Sequence, residues 1–211
     1  MKLPILLLFC AMIGAAGAQS MSQQSAVDAR KAGEVAGNAL STLSQLVTEQ
    51  NHRAMGFESA KEVAGASLGT PLPVYMVQLD ELRQYEGADP APMLRPLPQV
   101  IYPVLVGGAA RSGITVENTG KGWQATGFGS ASLSRALADG ARATGAGDPF
   151  VVHVAALRTY FIGFRDGDGA LMFAPIRDEP ELEFRAGVAV PATQALLALK
   201  ASALQYNELP L

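Results

Sequence analysis

The chain has 211 residues, of which 49% are hydrophobic, and a formal net charge of −3. That length and apolar content suit one compact domain with a substantial core. Neither sign of charge dominates, which argues against a nucleic-acid surface and against an acidic disordered tail.

Lys2, an apolar run over residues 3–13 and the small-x-small pattern Ala16-Gly17-Ala18 predict a signal peptide, residues 1–18, cleaved after Ala18. The run is shorter than the roughly 20 residues a spanning helix needs. Cys10 follows Phe9, not the small residue a lipid-attachment signal requires, and no other cysteine occurs. The mature chain is therefore expected to use neither disulfides nor thiol chemistry, and no cysteine-held metal. An exported protein without disulfides fits the periplasm if the source is a Gram-negative bacterium, and secretion otherwise. No later stretch is apolar enough to span a membrane.

Residues 19–25 are polar and read as loose. Over residues 26–49, Ala36, Ala39, Leu40, Leu43, Leu46 and Val47 recur at helical spacing, so residues 19–55 form an N-terminal segment built on an amphipathic helix. Gly56-Phe57-Glu58-Ser59-Ala60 opens the next unit. Ser59 and Glu62 fit a capping box for a helix that Gly69 and Pro71 stop. A strand over residues 73–79 follows, then a turn capped by Asp80, and residues 86–98, with four prolines, read as a connector.

Residues 100–106, 113–117 and 123–128, separated by Gly107-Gly108 and a turn at Asn118-Thr119-Gly120, predict an antiparallel meander. Ser130 or Ser132 caps a helix to about Ala143, and a strand occupies residues 150–157. Asp166-Gly167-Asp168-Gly169 closes a hairpin between residues 160–164 and 170–174. Residues 181–190 suggest an edge strand. Pro191 opens a last helix, with Leu196, Leu197, Leu199 and Leu204 available for packing.

One unit occurs twice. Gly127-Phe128-Gly129-Ser130-Ala131 matches the segment at Gly56 in four of five positions. Each copy leads to a helical pattern, a proline and an apolar strand ending in Leu82-Arg83-Gln84-Tyr85 or Leu157-Arg158-Thr159-Tyr160. Their lengths differ by four residues, close to one helical turn of about 3.6 residues. These observations predict one α+β domain over residues 56–211. Its antiparallel sheet carries packed helices and an internal duplication of a β-meander, helix and strand unit. The halves are read as residues 56–98 with 161–211, and residues 99–160.

No catalytic or cofactor set emerges. Gly127-Phe128-Gly129 resembles a phosphate loop, but Ser132 stands where the third glycine belongs and no P-loop lysine follows. The Asp166 segment resembles the start of a calcium loop, but Leu171 occupies the position that needs glycine. His52 and His153 are the only histidines and do not make a zinc site. His153 sits in an apolar alternating strand, as a packed residue or as a general base. Glu179, Glu181 and Glu183 read as a solvated edge. Tyr85, Arg83, Tyr160 and Arg158, in repeated positions, and Trp123 are the candidate partner surface; no cofactor or metal is expected.

Pro103-Val104-Leu105-Val106, the helix over residues 130–143, and the stretch from Phe150 to Tyr160 resemble the small translocon-associated family of the chloroplast intermembrane space and cyanobacterial periplasm. Phe173-Ala174-Pro175 adds to the likeness, which covers about the second half of the chain. The resemblance implies a duplicated α+β fold and a non-enzymatic, chaperone-like role toward exported proteins. A bacterial secreted family sharing the same unit is the other reading. The functional expectation is an exported, non-catalytic binding or assembly protein whose partner is another protein. The alternatives are a small-ligand enzyme or hydrolase with dispersed active-site residues, and a modulator of a secreted enzyme.

Overall fold

The computed structural model describes the backbone of residues 15–206 and the side chains of residues 28–206. The first 14 positions of the expected signal peptide lie outside the described residues. Helix α1, Ala15–Leu46, begins within that segment, so residues 19–25 are helical and not the loose stretch expected. From residue 28 onward its buried stripe is Ala32, Ala36, Ala39 and Leu43, with Val47 just beyond its end; Leu46 faces solvent.

The duplicated Gly-Phe segment at Gly56 leads into a 3-10 helix, Ala60–Gly65, and then strand β1, Ala66–Leu68, where the sequence suggested a single helix. Ser59 makes no capping hydrogen bond. Glu62 Oε2 instead accepts from the Glu58 amide at 2.6 Å. The helix fails because the last residues find a better partner: Ala66, Ser67 and Leu68 pair with Val106, Leu105 and Val104.

Strand β2, Leu72–Met76, is followed by helix α2, Leu79–Arg83, whose N-cap is Gln78 with no side-chain bond; Asp80 pairs with Arg83 instead of capping. The expected connector ends early, because strand β3, Arg95–Val106, begins inside it and pairs Pro96 with Tyr75. The meander continues as β4, Ala109–Asn118, and β5, Trp123–Phe128. Helix α3, Ala131–Thr144, starts after Ser130, which takes a left-handed conformation and makes no capping hydrogen bond.

Strand β6, Phe150–Val154, ends in a 3-10 turn, Ala155–Leu157, before β7, Thr159–Arg165, and β8, Leu171–Pro175. In the β7–β8 turn Asp166 Oδ1 accepts from the amides of Asp168 and Ala170, at 3.0 and 2.9 Å. The edge strand expected over residues 181–190 is reduced to β9, Val190–Pro191, with a 3-10 turn at Pro180–Leu182 before it. Pro191 ends that strand and serves as N-cap of α4, Ala192–Gln205. Leu196 and Leu199 are fully buried there, whereas Leu197 and Leu204 are exposed.

All nine strands join one mostly antiparallel sheet, so the molecule is α+β. The order is β5-β4-β3-β2-β6-β7-β8-β9, with β1 also on β3. Reading outward from the centre therefore gives β3, β4, β5 on one side and β7, β8, β9 on the other. The central neighbours β2 and β6 are parallel, and each is followed at once by a helical turn. Each side of the β2–β6 centre thus carries a run of antiparallel neighbours.

Both faces of the sheet are covered. On one face α1 packs on Tyr102, Val104, Ile114 and Val116, and α4 packs with Val152, Val154, Phe161 and Phe173. On the other, Leu137 of α3 packs with Leu72, Val74, Val151 and Ile162. Helix α3 touches β3 and β4 as well as β7 and β8, so it bridges the two sides of the centre.

Candidate binding site at the centre of the sheet

The parallel β2–β6 ladder is short, joining only Val74, Tyr75 and Met76 to Val151, Val152 and His153. The local sequence explains why. Continuing that register toward the strand starts would set Pro73 beside Phe150, Leu72 beside Pro149 and Pro71 beside Asp148. Proline has no amide hydrogen to donate, so three prolines on two facing strands stop the ladder. Above the stop, β2 and β6 part.

The gap opens on both faces of the sheet. One cleft, of about 370 Å³, lies beside the C-terminal half of α3, with Leu72, Pro103, Leu105 and Arg142 in its walls. The other, of about 690 Å³, is walled by Pro71, Pro73, Tyr75, Phe150 and Arg165. Thr70, Ala146, Gly147 and Pro149 border both. The two edges of the gap carry matching tripeptides, Gly69-Thr70-Pro71 and Gly147-Asp148-Pro149, at equivalent places before β2 and β6.

The aromatic wall is held in place. Phe150 meets Tyr75 edge-on, with ring centroids 5.0 Å apart and planes at 63°. Its ring lies over Gly163, where an added Cβ would sit 2.3 Å from Phe150 Cε2. A side chain at residue 163 would push Phe150 out of the wall. The cations differ. Arg142 is paired with Asp139 at 2.9 Å. Arg165 donates to the Gly169 carbonyl at 2.8 Å and has no carboxylate partner among the described residues.

The residues read from the sequence as a partner surface are dispersed. Tyr85 is buried, and its hydroxyl donates to the Ala88 carbonyl at 2.5 Å. Arg83, expected to point outward, turns to the end of α4, where Nε and a terminal nitrogen donate to the carbonyls of Ala203 and Tyr206 at 3.0 and 2.8 Å. Lys200 reciprocates by donating to the Tyr85 carbonyl at 2.8 Å. Arg158 is exposed in a left-handed conformation after the 3-10 turn. Trp123 sits half-buried at the start of β5, far across the sheet from β7, and its indole nitrogen has no hydrogen-bond partner among the described residues.

Tyr160 stacks on His153, with ring centroids 4.1 Å apart and planes within 5°. Burial holds the His153 imidazole below its ordinary pKa of 6.5, favouring the neutral ring. His153 is not in the walls of either cleft described above. His52 meets the Glu49 carbonyl through Nδ1 at 2.9 Å at the end of α1. Among the described residues no group of three or more His, Cys, Asp or Glu side chains could hold a metal ion, and no helix is long and apolar enough to cross a membrane.

The central gap was missed from sequence, although its signal, a repeated Gly-x-Pro before an apolar strand, is visible there. No known family model matches the chain, and no curated protein and no solved structure matches it significantly.

Proposed function

We propose that this chain is an exported, non-catalytic binding or assembly protein that engages another exported polypeptide at the central gap. The observation that carries the reading is the proline-stopped β2–β6 ladder, which leaves two adjoining clefts walled mainly by glycine, proline, aliphatic and aromatic residues. Concave apolar walls with a few polar groups are the usual form of a binding site. Reactive groups do not converge there: the charged side chains in the walls are Arg142, Arg165 and Asp148, with the Tyr75 phenol beside them. The signal-peptide pattern at residues 1–18 supports export, and the resemblance to the translocon-associated family points to the same chaperone-like role.

Gly147 offers a clean test. A Cβ there meets nothing within 4 Å, so Gly147→Leu starts a bulky side chain in open space at the border of both clefts. The tagged mature chain, incubated with the exported fraction of its source and followed by identification of retained proteins, is expected to hold a defined set that Gly147→Leu loses. Equal retention by both forms, or retention of a small molecule in place of protein, would contradict the proposal.

A further inference from the structure

We infer that the cleft walled by Tyr75, Phe150 and Arg165 takes the apolar C-terminal end of a polypeptide, with its terminal carboxylate on the Arg165 guanidinium. The inference rests on the binding function proposed above and specifies what that site holds. Three features select this ligand. Pro71, Pro73 and Pro149 present no amide hydrogens, so an incoming chain is held by its side chains and its end, not by a continuous ladder. Tyr75 and Phe150, with ring planes at 63°, form an aromatic corner that suits a terminal apolar or aromatic side chain.

Arg165 supplies the charge. Its fork is steadied by the Gly169 carbonyl, and among the described residues it has no carboxylate of its own, unlike Arg142 in the neighbouring cleft. A planar guanidinium matches a carboxylate in two parallel hydrogen bonds. Asp148 also lines the cleft and forms no ion pair with Arg165 among the described residues. It opposes an acidic side chain near the edge of the gap, which favours a ligand whose one negative charge is its terminus.

The test uses two fluorescein-labelled octapeptides of alternating threonine and valine ending in leucine and phenylalanine, one a free acid and one a C-terminal amide. Binding to the mature chain is read by fluorescence anisotropy. The acid is expected to bind about tenfold or more tightly than the amide, the weight of one charge-assisted pair. Arg165→Gln should remove most of the acid's advantage over the amide. Circular dichroism confirms that the variant is folded, and the acid-against-amide comparison on the unaltered chain decides independently of it. Equal binding of acid and amide overturns the carboxylate assignment and leaves the wider binding function standing. Binding of neither peptide overturns the assignment too, while the capture experiment judges the wider function separately.

Discussion

Gly56, the first residue of one copy of the repeated segment, and Gly129, the third residue of the other, share nearly the same backbone state, φ 96° and 99°, yet their surroundings differ. A Cβ on Gly56 would lie 1.9 Å from the Arg111 carbonyl oxygen and 2.6 Å from Ala131 Cβ, whereas one on Gly129 meets only Met55 Sδ, at 3.7 Å. Gly129→Ala therefore pays mainly backbone strain, about 1 kcal/mol, while Gly56→Ala must displace a strand and should cost about 3 kcal/mol or more in urea unfolding. Equal costs would mean that the copies do not touch as described. His153 gives a second test at this scale. Above its ordinary pKa of 6.5 the ring is neutral folded or unfolded. As pH falls through that value the unfolded chain takes up a proton that the folded chain resists, so stability drops. Between about pH 7 and 5, His153→Phe, which keeps an aromatic ring opposite Tyr160, should lose less stability than the unaltered chain. An identical slope would show that burial does not perturb His153. Alternation placed this residue correctly in an apolar strand. Its stacking on Tyr160 was not legible, because the cross-strand register depends on where the intervening turn ends.

At the scale of elements, α2 and α4 tie each other's ends. Arg83 satisfies two carbonyls at the end of α4, and Lys200 satisfies the carbonyl of Tyr85 just beyond α2. Each bond meets an orphan carbonyl with a cation, the favourable sign at a helix C-terminus. The Arg83 side chain is 31% exposed, which tempers the gain. Arg83→Ala should cost about 1 kcal/mol and speed amide exchange in the last turn of α4. Arg83→Lys should recover little of either, since one ammonium does not reproduce the fork. Full recovery by lysine would reduce the contact to simple charge. The repeated Leu-Arg-x-Tyr signature was readable, but not its divergent use. In the first copy it begins in the last turn of a five-residue helix facing α4; in the second, its tyrosine enters β7. The meander and the last hairpin were legible because glycine-rich turns bracket alternating apolar residues. Strand β1 was not, because three residues carry no usable period and their partner lies in β3.

At the scale of the whole molecule, strand order places β3, β4 and β5 on one side of β2 and β6 and β7, β8 and β9 on the other. Composition and patterning sufficed for the α+β class. They did not reveal that Pro71 and Pro149 face a common gap, since nothing local to either segment says that the two strands are neighbours. That gap is where the account places binding, so a photo-crosslinking residue should be set there at Gly147 and, separately, at Ser41 on the exposed side of α1. In exported extract the account predicts adducts to a defined protein set at residue 147 and none of these at residue 41. Adducts of the same proteins at both positions, or none at residue 147, would contradict it.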